Sequence, residues 1–131
     1  MESKIKIGDL VTGIYKTGKY IGIITAEKPM HYLMQVKAVL KHPAQGDLHS
    51  PKEAEVPLFH ERRALSYNEQ TNVPKNMIKP FDGVVPDYKE SLKQSLHKLT
   101  ESLSADSSPW AKRSLENLDQ LQKEYFPPEE N

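Results

Sequence analysis

Gly13, Gly18 and Lys19 stand at the spacing G-x-x-x-x-G-K within GDLVTGIYKTGKYIGIIT. That is one residue short of the loop whose backbone N–H groups surround a nucleotide's phosphates. There the lysine meets the phosphate charge and a following Ser or Thr holds Mg²⁺. The last place here is Tyr20, whose oxygen sits at the far end of a ring and cannot replace that hydroxyl. A phosphate loop must also open straight into a helix. The segment after Gly18, KYIGIIT, is instead β-branched, contains Gly22 and alternates as a strand does. The spacing therefore predicts a β-hairpin turning at Lys16-Thr17-Gly18-Lys19, where glycine makes a positive φ easy. Gly13 and Gly22 then fall on strands, at points where a side chain would crowd a neighbouring strand.

The remaining chemistry-bearing residues form no catalytic constellation. His31, His42, His49, His60 and His97 lack the spacing of a helical metal motif. His42, Asp47 and His49 share one loop, a poor cage without a rigid outer shell. Surface histidines are the expectation, with no metal and no cofactor. Ser, His and Asp are all present, but no G-x-S-x-G elbow selects any of them, so no catalytic residue is assigned and the chain is read as a non-enzyme. The sequence has no cysteine, which excludes disulfides, thiol nucleophiles, Cys-type zinc sites and thioether lipid anchors.

FHERRALSYNE (59–69) is more unusual. Two aromatic residues flank a pair of arginines, a composition favoured at protein interfaces and on single-stranded nucleic acid. Phe59, Arg62, Arg63 and Tyr67 are therefore the candidate partner-binding residues. The competing reading places Phe59, Ala64, Leu65 and Tyr67 in the core and leaves the arginines merely solvated.

The elements that must carry these residues divide near residue 86. Before it the apolar period is two. In LVTGIY, Val11, Gly13 and Tyr15 face one way, and YIGIIT repeats the alternation with Ile21 and Ile23 on one face. YLMQVKAVLK sets Tyr32, Met34, Val36, Ala38 and Leu40 on one side and Gln35, Lys37 and Lys41 on the other. VPLFHE (56–61), RALSYN and NMIKPF are shorter strand candidates. The polar loop 42–55 holds two prolines and a glycine, and approaches the length at which connections tend to be functional. Several short strands at this spacing predict a small half-open barrel or sandwich, with a five-stranded SH3-like barrel fitting the count best.

After Pro86 the period becomes helical. Tyr88, Leu92, Leu96, Leu99 and Leu103 form one stripe, with Asp87 and Glu90 as a capping box. Ser108 and Pro109 suit the start of a second helix, on which Trp110, Ser114, Leu118, Leu121 and Tyr125 align. Two helices of about 17 residues with a short polar turn pack as an antiparallel pair. The expected fold class is α+β: an SH3-like barrel over 1–86 and a C-terminal helical hairpin over 87–131 docked on it.

Net charge is zero, with 18 basic and 18 acidic residues, so no global field advertises nucleic acid. The halves differ: residues 1–86 carry 12 basic and 9 acidic residues, a net of +3, and residues 87–131 carry 6 and 9, a net of −3. The N-terminus lacks the apolar run of a signal peptide, and no window is apolar enough to span a bilayer. A soluble intracellular protein is the expectation.

In order, the hairpin GDLVTGIYKTGKYIGIIT, the strand YLMQVKAVLKHPAQGDLH, FHERRAL, NVPKNMIKPF, DYKESLKQSL and a Trp-containing closing helix resemble the kinase-associated lipoprotein B family of spore-forming bacteria. The resemblance covers nearly the whole chain and rests on texture rather than on a diagnostic site. It implies a non-enzymatic accessory of a membrane-bound sensor histidine kinase that feeds the phosphorelay initiating sporulation. The location implied is cytoplasmic, at the inner face of the membrane through the kinase. Lacking cysteine, the chain departs from the family's name, since it has no residue to carry a thioether lipid. Two other classes compete with this reading. One is a small nucleic-acid-binding barrel of the translational type, suggested by GDxV and by Lys16 and Lys19 at a hairpin tip. The other is a homodimer that exchanges its helices.

Overall fold

The computed structural model describes residues 5–46, 59 and 61–127. Five strands, β1 (Leu10–Tyr15), β2 (Gly18–Glu27), β3 (His31–Lys41), β4 (Gln70–Pro74) and β5 (Ile78–Pro80), precede two helices, α1 (Tyr88–Ser104) and α2 (Pro109–Tyr125). A single 3-10 turn, Lys75–Met77, joins β4 to β5. The strands make one antiparallel sheet in the order β4-β3-β2-β1-β5. No ladder joins β4 to β5 among the described residues, so the sheet is open. The sheet does not close into a barrel: β5 is only three residues long and ends at Pro80, too short to carry the sheet round to β4.

The opening glycines serve a hairpin. Tyr15 pairs with Gly18 across the turn, and Gly18 begins a strand, not a helix. The positive φ falls on Lys16 at +54°, not on Gly18, which corrects the expected use of that glycine. Gly18 is needed for space instead, because a Cβ there would lie 2.5 Å from the Tyr20 hydroxyl. A Cβ on Gly22 would lie 2.5 Å from Met34 Cγ and 2.6 Å from the Gln35 carbonyl oxygen, which lets β3 cross β2 closely.

Tyr32, Met34, Val36 and Ala38 of β3 are buried, as their alternation requires. Leu40 is not. The register passes from Tyr20↔Val39 to Lys19↔Lys41, so Leu40 is the extra residue of a bulge, and it turns outward while Val39 is buried. QTNVP became β4 without a sequence signal: only Val73 of its five residues is buried. RALSYN forms no strand and instead turns at Asn68, whose φ is +67°. VPLFHE lies mostly outside the described residues.

Asp87 caps α1 by accepting from the Glu90 N–H at 3.1 Å. Ser108 caps α2 by accepting from the Ala111 N–H at 3.2 Å, with Pro109 following in the first helical turn. The first half of α1 lies against β3, where the Val39 N–H donates to Ser91 Oγ at 3.0 Å. That contact satisfies a main-chain donor beyond the reach of β4. The core accordingly has two parts. Leu92 joins Val11, Tyr20, Ile24, Met34, Val36 and Val73 beneath the sheet. Leu96 and Leu103 pack with Ala111, Leu118 and Leu121 between the helices. Tyr125 borders both.

Candidate functional site

The segment after the polar loop is held by tyrosine hydroxyls from three separate elements. Tyr125, at the end of α2, accepts from the Ala64 N–H at 2.8 Å. Tyr20 of β2 accepts from the Leu65 N–H at 3.2 Å, and Tyr88 of α1 donates to the Leu65 carbonyl at 2.6 Å. Each ring brings apolar bulk and places its one polar atom on an otherwise unpaired main-chain group. Burial pushes the Tyr20 and Tyr88 phenols up to about 12, and it raises Tyr125 as well. All three therefore remain neutral across the ordinary pH range.

His42 completes the network. Its Nδ1 lies 3.0 Å from the Pro43 carbonyl, so that nitrogen carries the proton and donates. Nε2 is thereby the acceptor, and the Tyr125 hydroxyl donates to it at 3.0 Å. Burial lowers the His42 pKa to about 4, partly offset by the bond to Pro43, so the ring is neutral at physiological pH. The expectation of a surface histidine is corrected here: His42 is completely buried, an internal strut between the end of β3 and the end of α2.

Held in this way, residues 63–67 form one wall of a cleft of about 910 Å³. Leu10 of β1, Ile23 of β2, Val85 to Lys89 leading into α1, and Glu124 to Phe126 at the end of α2 also line it. Tyr67 is 54% exposed, and its ring centroid lies 5.8 Å from that of Tyr88 at an interplanar angle of 55°. Lys37 stands over the Tyr67 ring at 5.1 Å, and Arg63 stands over the Tyr125 ring at 5.2 Å while pairing with Glu124.

The geometry places the four residues singled out from the sequence in two different surroundings. Arg63 and Tyr67 line the cleft. Phe59 and Arg62 do not: the Arg113 guanidinium lies 4.4 Å over the Phe59 ring, and Arg62 Nε donates to the Gly46 carbonyl at 3.1 Å. The Arg62 main chain is also paired with Gln45, through both its N–H and its carbonyl at 2.9 Å, and Trp110 Nε1 donates to the Gln45 carbonyl at 3.2 Å. Arg62 and Phe59 thus tie the loop ends to α2. Tyr20, Tyr88 and Tyr125 were missed as site residues: Tyr88 and Tyr125 read as ordinary core on their helical stripes, and Tyr20 stood out only as the residue that breaks the phosphate-loop pattern.

Among the described residues, no group of three or more His, Asp or Glu is arranged to hold a metal, and no helix is long and apolar enough to cross a membrane. His49 and His60 lie outside the described residues. The described lining of the cleft offers Tyr67, Tyr88 and Tyr125 together with charged side chains.

The fold and the cleft define a small α+β protein, an open antiparallel sheet with a helical hairpin against it. The chain belongs to the Kinase associated protein B family, whose model matches residues 15–126. It is 62% identical over 124 residues to Kinase-associated lipoprotein B of Bacillus subtilis strain 168, covering 95% of this chain and 97% of that protein. The X-ray crystal structure of kinase-associated protein B from Bacillus cereus superposes with a TM-score of 0.80 at 49% identity, covering 93% of this chain and 98% of that one.

Proposed function

We propose that this chain is a non-catalytic accessory protein of a membrane-bound sensor histidine kinase in the phosphorelay that starts sporulation. It acts by binding the kinase through the Arg63–Tyr67 cleft. The observation that carries the association is the near end-to-end likeness to relatives named as kinase-associated. The cleft supports the choice of surface, since it concentrates exposed aromatic area and arginine on a wall fixed by hydrogen bonds, where binding energy tends to gather. Binding one conformer of the kinase more tightly than another shifts its population toward autophosphorylation. We read residues 1–86 as an SH3-like unit opened along one side, with 87–131 as the helical unit docked on it. Location at the membrane's inner face then comes through the kinase, as the sequence has no cysteine to carry a thioether lipid.

The test is capture of histidine kinases from sporulating cells with this chain as bait. The wild type retains a kinase, whereas Arg63→Glu combined with Tyr67→Ala loses it while keeping the wild-type melting temperature within a few degrees. Recovery of ribosomal components without a kinase, or unchanged capture by the double variant, overturns the reading.

A further inference from the structure

The charges around the cleft are unequally committed. Glu124 pairs with Arg63 and accepts from Gln120 Nε2 at 3.2 Å, and Asp87 is occupied in capping α1. The cations are freer. Lys37 donates to the neutral Asn68 Oδ1 at 2.6 Å and rests over the neutral Tyr67 ring. No described carboxylate pairs with Lys37 or with Lys89, which also lines the cleft, at the start of α1. With Glu124 paired to Arg63, the lining keeps two lysines, Lys37 and Lys89, against one further carboxylate, Asp87. The same lining carries Leu10, Ile23, Tyr67, Tyr88 and Leu92.

From this we infer that the cleft takes an acidic segment of a partner protein, whose carboxylates meet Lys37 and Lys89 while an apolar side chain seats against Tyr67, Tyr88 and Leu10. The inference rests on the docking role proposed above and adds the chemistry of what docks. Such a segment gains charge-assisted bonds from both lysines and covers apolar area that is otherwise open to water. A nucleic-acid strand fits less well. The chain has no net positive charge to hold an extended phosphate backbone.

The full chain, labelled with ¹⁵N, is titrated with a short synthetic peptide of alternating glutamate and leucine. A peptide with lysine in place of glutamate and a single-stranded oligothymidylate are titrated in parallel. The glutamate peptide is expected to move the amide signals of Lys37, Tyr67, Tyr88 and Lys89, and the lysine peptide to move none. Combining Lys37→Glu with Lys89→Glu weakens the glutamate peptide about tenfold or more, with the rest of the spectrum unchanged. No binding of the glutamate peptide, equal binding of the lysine peptide, or tighter binding of the oligonucleotide at these amides overturns the inference. Kinase capture separates the two levels. Loss by Tyr67→Ala with retention by the lysine reversals overturns the acidic segment alone, and retention by both overturns the docking role as well.

Discussion

The hydroxyl of Tyr125 lies 3.0 Å from Nε2 of His42, joining residues 83 positions apart in the chain. The same oxygen accepts from the Ala64 N–H at 2.8 Å, so one atom fastens the last turn of α2 to both ends of the intervening loop. The cleft wall depends on it.

Tyr125→Phe removes that atom and leaves the ring. Two buried groups lose their partner, the Ala64 N–H and His42 Nε2, and an unsatisfied buried group costs about 1–3 kcal/mol. The expected outcome is a loss of about 2–3 kcal/mol in urea unfolding, with the m-value unchanged. A change below about 0.5 kcal/mol would show that the network carries no stability.

His42 sets a pH dependence whose sign follows from burial. Its folded pKa is about 4 and its ordinary value is 6.5, so between these the unfolded chain binds the proton and the folded chain does not. Its stabilising contribution is fully present above 6.5, falls as pH drops toward 4, and levels off below. The contribution is of order 3 kcal/mol. Unfolding midpoints across this window, compared with those of His42→Gln, measure it: the variant loses most of the slope. A wild-type profile that is flat between these pH values would count against a buried neutral ring.

Gly22→Ala sets a methyl group against a main-chain oxygen, and that oxygen cannot rotate away as a side chain would. Overpacking of this kind costs about 1–3 kcal/mol, and the upper part of that range is expected. Thermal unfolding reads the change, and a stability equal to wild type would mean that β2 and β3 separate without cost at this crossing.

Arg62 and Arg63 are neighbours with opposite expected phenotypes. Arg62→Ala removes a bond to the Gly46 carbonyl, so stability falls by about 1 kcal/mol and partner capture is retained. Arg63→Ala removes an exposed ion pair worth less than about 1 kcal/mol, so stability barely changes and capture weakens. Unfolding curves and kinase capture run on both variants separate the two roles.

How far the sequence reached differs by element. The caps at Asp87 and Ser108 were legible because capping uses particular side chains at fixed offsets from a helix start. The buried face of β3 was legible as far as Ala38, since alternation reports which side of a strand is covered. Leu40 was not, because a bulge reverses the faces and depends on how β3 meets β2. β4 escaped notice because an edge strand with a single buried residue has no alternation to display. In FHERRALSYNE, composition could not separate Arg63, which lines the cleft, from Arg62, which bonds to Gly46.

The sequence by itself determined the switch from period two to helical period near residue 86, the two helix starts, the hairpin at Lys16 and Thr17, and the absence of any cysteine chemistry. These are local matters, settled by residues within a few positions of one another. Only the tertiary structure decided that the sheet stays open, that Gly18 is required for the Tyr20 hydroxyl, and that Tyr20, Tyr88 and Tyr125 converge on Ala64 and Leu65. The tyrosine bonds join main-chain groups to side chains more than 20 residues away. No spacing rule encodes such a meeting, because it depends on where packing brings each element to rest.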